Sequence, residues 1–155
     1  MDKLGEAVKI APMSKVNRKL AVKRTNTGLG LFTLEPIPAD KRIIEYLGPI
    51  LTNEEADQKG GKYLLTLDKK YIIDGSPRHN KARYINHSCR PNARAYTSGL
   101  RVWIWSLRGI KAGEEITIHY GKAYMDMHIE RCKCRKCEAR ADNTTTKVKV
   151  MRAGT

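Results

Sequence analysis

A chain of 155 residues that is 41% hydrophobic and 30% charged has the composition of a folded domain with room for one core. No apolar run approaches a membrane span, and no apolar segment near the N-terminus ends in a cleavage site, so neither membrane insertion nor secretion is expected. The net charge of +14 is concentrated at the ends: residues 1–24 carry seven Lys/Arg against two acidic residues, and residues 122–155 carry nine against four. Such ends suit contact with nucleic acid or another acidic surface, and equally suit solvated, frayed termini.

Residues 1–19 read as a loose basic leader with Pro12 and little apolar periodicity. From Leu20 to Tyr120, short apolar runs are broken by Gly, Pro, Asn and Asp, which predicts a mainly β domain of many short strands. The expected strands are Ala21–Lys23, Leu31–Thr33, Ile43–Leu47, Tyr63–Leu67, Tyr71–Ile73, Ala93–Tyr96, Val102–Ser106 and Ile116–His119. Lys69-Lys70 is short enough to join two of them as a hairpin, although it lacks the usual turn residues. Thr52-Asn53-Glu54-Glu55 has capping-box spacing and opens a short helix that Gly60-Gly61 ends. A second helix is expected over 123–130, and a flexible basic tail over 139–155.

Four cysteines carry the first chemical signal. Cys132, Cys134 and Cys137 form a Cys-x-Cys-x2-Cys cluster, while Cys89 lies far upstream in Asn86-His87-Ser88-Cys89. In a reducing, intracellular setting such a cluster reads as a metal site rather than as disulfides. Three thiolates leave a structural zinc one ligand short, with Cys89 and His128 as candidates for the fourth place. Cys89 is preferred because it closes an all-thiolate site. The alternatives are free thiols in a basic segment, or a nucleophilic Cys89, for which no separate orienting His-Asp/Asn pair stands out.

The Asn86-His87-Ser88-Cys89-x-Pro91-Asn92 stretch resembles the signature of SET-domain protein methyltransferases. Four further motifs follow that family's order. They are Gly28-Leu29-Gly30, Glu45-Tyr46-Leu47-Gly48, Tyr71-Ile72-Ile73-Asp74 leading into Arg83-Tyr84-Ile85, and Gly113-Glu114-Glu115-Ile116-Thr117-Ile118-His119-Tyr120-Gly121. The cysteine triplet is similar to the family's zinc-binding post-SET segment, whose fourth ligand is the signature cysteine.

The resemblance implies a SET domain over 20–121, of small curved sheets with a pseudoknot, and a post-SET zinc segment over 122–138. It implies an S-adenosylmethionine-dependent protein-lysine N-methyltransferase, with S-adenosyl-L-methionine as cosubstrate and a structural Zn2+ on Cys89, Cys132, Cys134 and Cys137. Tyr120 matches the family's catalytic tyrosine, and Tyr46 is a second channel wall. Leu29, Gly30, Tyr63, Arg83, Asn86, His87 and Tyr120 are the expected cofactor-binding set, Arg83 through its backbone or packing.

Two positions depart from the pattern. His119 stands where the family usually has Asp. Ile118 stands where many relatives carry a Phe or Tyr that limits how many methyl groups fit, so di- or trimethylation is expected. The protein partner is one with an accessible lysine, histone or other. A basic chain and a basic histone tail do not attract each other, whereas nucleic acid beside the tail could meet the basic termini. The expected location is intracellular, nucleus or cytoplasm according to source. Two rival readings stay open: an inactive SET-fold scaffold or reader, and a basic zinc module that binds nucleic acid.

Overall fold

The computed structural model describes residues 16 and 18–139; within them the side chains of 123, 127 and 128 are not described. Of the expected leader only residues 16, 18 and 19 are described, and of the expected tail only 139; the His128 side chain lies outside the described residues. Ten short strands and two short helices lie within the described residues, and a further helical stretch over 135–139 runs to their end. In chain order they are β1 (Leu20–Thr25), β2 (Gly28–Thr33), β3 (Arg42–Tyr46), β4 (Ile50–Thr52), α1 (Asn53–Lys59), β5 (Leu64–Thr66) and β6 (Tyr71–Asp74). After a single 3-10 turn (Lys81–Tyr84) come β7 (Asn86–His87), β8 (Ala93–Ser98), β9 (Arg101–Ser106), β10 (Thr117–Ile118) and α2 (Lys122–His128).

The strands form four small sheets: β1-β2, β3-β9-β8, β4-β6-β5 and β10-β7. All pairings are antiparallel except that of β10 with β7, where Thr117 pairs with Asn86 and Ile118 with His87. A parallel pair needs a crossover rather than a hairpin, and here the crossover carries β8 and β9. It sets the Asn-His segment against the strand leading into Tyr120, the juxtaposition on which the pseudoknot expectation rested.

One apolar core joins these sheets, with Leu31, Ile43, Val102, Ile104 and Ile116 fully inaccessible. Burying an aliphatic side chain of this size contributes roughly 1.5–3 kcal/mol, so a few such residues from each sheet hold the short strands together. Asn80 is buried among them and is satisfied on both sides: it accepts from Leu47 N–H and donates to the Gly75 carbonyl. That amide pins the end of β3 against the turn after β6. At Gly75 a Cβ would come within 2.2 Å of the Tyr46 hydroxyl oxygen, so only glycine lets the Tyr46 ring lie there.

Each of the eight expected strands has an observed counterpart. Two short strands, β4 and β7, were not expected. The β5–β6 hairpin forms, but its turn residue is Asp68, whose carboxylate accepts the N–H groups of Lys70 and Tyr71. That carboxylate does the work Lys69-Lys70 cannot do. The capping box is present as read: Thr52 Oγ1 accepts from Glu55 N–H, and Glu55 Oε2 accepts from Thr52 N–H. The second helix is observed as Lys122–His128 rather than 123–130.

Candidate active site and metal centre

The Asn86-His87 strand organises the site. Asn86 Nδ2 donates to the Leu29 carbonyl at 3.0 Å and to Glu115 Oε1 at 2.9 Å, tying β7 to β2 and to the start of β10. Gly30 belongs to the same knot: a Cβ there would sit 2.5 Å from Glu115 Oε1 and 3.2 Å from Asn86 Nδ2. His87 accepts the Tyr120 N–H on Nδ1 at 3.2 Å, which leaves the proton of the neutral ring on Nε2, 3.4 Å from Cys89 Sγ. Burial and the neighbouring His119 ring hold its pKa below the usual imidazole range, so the neutral form is favoured.

Beneath this strand lies a cavity of about 800 Å³, within the usual range of small-molecule clefts. Five tyrosines line it: Tyr46, Tyr63, Tyr84, Tyr120 and Tyr124. A second cavity of about 380 Å³ adjoins it, and the two share Thr27, Lys62, Asn86, Tyr120 and Tyr124. Tyr120 therefore stands where two compartments meet. Its hydroxyl donates to the Ile85 carbonyl at 2.6 Å, and the Tyr46 hydroxyl donates to the Tyr63 carbonyl at 2.8 Å. Burial, reinforced by neighbouring phenol oxygens, raises the pKa of both well above the usual phenol value. Both hydroxyls stay protonated near neutral pH, as hydrogen-bonding groups rather than bases.

The other expected site residues fall around this centre. Leu29 and Tyr63 line the larger cavity, His87 the smaller, and Asn86 both. Gly30 lines neither and acts from behind through the Asn86–Glu115 contact. Arg83 lies against the Tyr63 ring at 4.3 Å and donates Nη1 to the Ser76 carbonyl, while its buried Nε finds no acceptor among the described residues. Ile118, only 8% exposed, lines the larger cavity beside Tyr120. His119 Nδ1 accepts the Gly121 N–H at 2.9 Å, an acceptor role that a carboxylate could equally fill.

Tyr124 was missed in the sequence. It lies in α2, beyond the Gly113–Gly121 motif, and packs edge-on to the Tyr120 ring at 5.1 Å with its hydroxyl donating to the Lys62 carbonyl. The signal for it was the four-residue spacing from Tyr120 into a predicted helix.

The four cysteines converge. Their sulfurs all lie within 4.8 Å of one another, with Cys89 Sγ 3.9 Å from Cys132 Sγ and 3.7 Å from Cys137 Sγ. A tetrahedral zinc with Zn–S bonds of about 2.3 Å sets its sulfurs about 3.8 Å apart, so the donor set and its size fit that ion. Cys89 is pushed up by burial and by the adjacent thiols, whereas at Cys134 burial is outweighed by backbone N–H donors and the shift is downward. Four adjacent thiols cannot all ionise by themselves, and a divalent cation is the group that would allow it. Cys132 and Cys134 also line the smaller cavity, so the cluster supports one of its walls.

Fold and site together define a mainly β protein with a tyrosine-lined double cavity, bounded at one side by a cluster of four cysteines that could hold a metal ion. A family model for the SET domain matches residues 28–121, and the chain belongs to that family. It is 33% identical over 147 residues to histone-lysine N-methyltransferase set1 of Dictyostelium discoideum, an alignment covering 85% of this chain and 10% of that protein. It is 37% identical to histone-lysine N-methyltransferase set-2 of Caenorhabditis elegans, covering 69% of this chain and 8% of that protein. Histone-lysine N-methyltransferase SUV39H2 of Gallus gallus is 34% identical, covering 65% and 30%. The chain thus spans a tenth or less of the first two relatives, and under a third of the last.

Proposed function

We propose that this chain is an S-adenosylmethionine-dependent protein-lysine N-methyltransferase, acting on a lysine of a histone or histone-like protein in a nuclear or nucleus-like setting. The observation that carries the reading is the meeting of two cavities at Tyr120, inside a domain of the SET family. The similar proteins are named for histone-lysine methyl transfer, which favours a histone substrate. When bound, S-adenosylmethionine supplies an electrophilic methyl group on a sulfonium.

The chain's own residues do the rest. Asn86 and Thr27, which line both cavities, would hold the cosubstrate across the junction, with Leu29, Tyr63, Arg83 and His87 around it. The tyrosine walls receive the lysine. A free lysine has a pKa near 10.4 and must lose a proton before its nitrogen can attack. Burial away from water in the channel disfavours the ammonium form, and a neighbouring cation disfavours it further. Tyr120 and Tyr46 remain neutral, so they orient the amine rather than deprotonate it. Fixing both reactants in line supplies much of the rate. Cys89, Cys132, Cys134 and Cys137 would hold a structural Zn2+, which would tie residues 132–137 to the Asn86-His87 strand. Ile118 leaves room for a second and third methyl group.

Transfer of a labelled methyl group from S-adenosylmethionine to histones and nucleosomes, lost in Tyr120→Phe, tests the reading. Cosubstrate binding without labelling of any histone or lysate protein would favour the scaffold reading instead.

A further inference from the structure

The sheet β3-β9-β8 has a second face, turned away from the core. Its register lays two rows across the strands: Arg42, Trp105 and Arg94 in one, Glu45, Trp103 and Tyr96 in the next. The bulge between Arg42 and Ile44 keeps Arg42 on the same side as Glu45. Arg101, two residues before Trp103, shares this side and pairs with Glu45. On this side Arg94 is exposed and Arg42 half-buried, while Arg101 is held against Glu45 with its side chain only 16% exposed.

The guanidiniums lie within cation–π range of rings. Arg42 lies 4.8 Å from the Trp103 ring and 5.7 Å from that of Trp105, Arg101 lies 5.7 Å from Trp103, and Arg94 lies 5.8 Å from Tyr96. Among the described residues no carboxylate pairs with Arg42 or Arg94. A guanidinium stacked on a ring keeps its N–H edges for an acceptor in the ring plane's direction and loses little further freedom on binding.

We propose that this arginine-covered sheet face binds the phosphate backbone of duplex DNA. The chain carries +14, of which residues 25–121, which include this face, contribute +4 (14 Lys/Arg against 10 acidic residues), a sign that favours a polyanion. Backbone contact is favoured over base stacking because Trp103 is only 6% exposed, covered rather than offered as a platform. Arg42 and Arg94 are separated by two strand spacings, about 10 Å, so each meets a different phosphate. Strand alternation then gives β8 two roles: Arg94 and Tyr96 face outward, while Ala95 and Thr97 line the larger cavity. DNA on the outer face would lie beside the cavity mouth.

Both tryptophans of the chain lie on this face, so intrinsic emission reports on it directly. The test titrates the full chain with a short DNA duplex, following anisotropy of labelled DNA and tryptophan emission across a salt series. Each phosphate contact contributes about 0.9 to the slope of log K against log salt, so Arg42→Gln/Arg94→Gln should lower it by about 1.8. Lys69→Gln, in an exposed turn elsewhere, should leave it unchanged. Should the double variant fail to fold, the solvent-facing Arg94→Gln alone should lower the slope by about 0.9. An unmoved slope, tryptophan emission unchanged at saturation, or emission that responds to polyglutamate and not to DNA would each overturn the assignment. Duplex binding of this kind does not depend on Tyr120, so Tyr120→Phe should retain it even if no methyl transfer is ever found.

Discussion

His87 bridges Cys89 and Tyr120: its Nε2 lies 3.4 Å from the Cys89 sulfur, and its Nδ1 accepts the Tyr120 N–H at 3.2 Å. One neutral imidazole thus joins the four-cysteine cluster to the residue where the two cavities meet. Outer contacts of this kind fix ligand orientation, and their removal typically costs about 10–100-fold in metal affinity or activity.

Chelation should therefore act on the reaction site as well as on the cysteines. Removing the metal, or Cys89→Ser, is expected to release residues 132–137, lower the thermal midpoint and weaken S-adenosylmethionine binding. Atomic absorption, differential scanning fluorimetry and calorimetric titration check this together. Full cosubstrate affinity in a demonstrably metal-free protein would break the link.

Tyr120→Phe removes the hydroxyl that donates to the Ile85 carbonyl. Loss of one such bond should cost about 1 kcal/mol of stability, measured by urea unfolding. Methyl transfer should fall much further, by about 10²-fold, if the hydroxyl also orients the reacting groups. Tyr124→Phe loses the hydrogen bond to the Lys62 carbonyl and keeps the ring packed on Tyr120, so a milder, severalfold loss is expected.

Ile118 sets the room beside Tyr120. Mass spectrometry of exhaustively treated substrate should show di- or trimethyl product for the wild type, shifting toward monomethyl in Ile118→Tyr. Only monomethyl product from the wild type would contradict that assignment.

The Glu114 carboxyl is held at about 2, chiefly by the Arg108 guanidinium, with burial opposing and the Lys111 N–H and Asn92 adding to the effect. A lowered folded-state pKa means that its stabilisation is present above the ordinary value of 4.5 and is lost as pH falls toward 2. Unfolding in that window should be accompanied by uptake of about one extra proton. Urea midpoints should drop less steeply between those pH values in Glu114→Gln than in the wild type.

Much of this was readable before any coordinates. The short apolar run at Val102–Ser106 and the Thr52–Glu55 spacing each express a local rule, and both elements formed where expected. β7 was not readable, because two residues carry no period and its partner lies beyond two intervening strands. The role of Asp68 was missed because a side-chain cap can replace the glycine-type turn that the sequence lacks.

The make-up of the site is written in the chain's residue types: four thiols, the Asn-His pair, and a tyrosine at the end of a glycine-acid motif. Those are matters of residue type and spacing, and chemistry follows from type. Only the tertiary structure decided that the four sulfurs fall within one ion's reach and that His87 faces both Cys89 and Tyr120. It also decided that Tyr124 returns to the Tyr120 ring and that three arginines share one sheet face. Each of these depends on register and chain crossing, which long-range pairing sets and no short window of sequence contains.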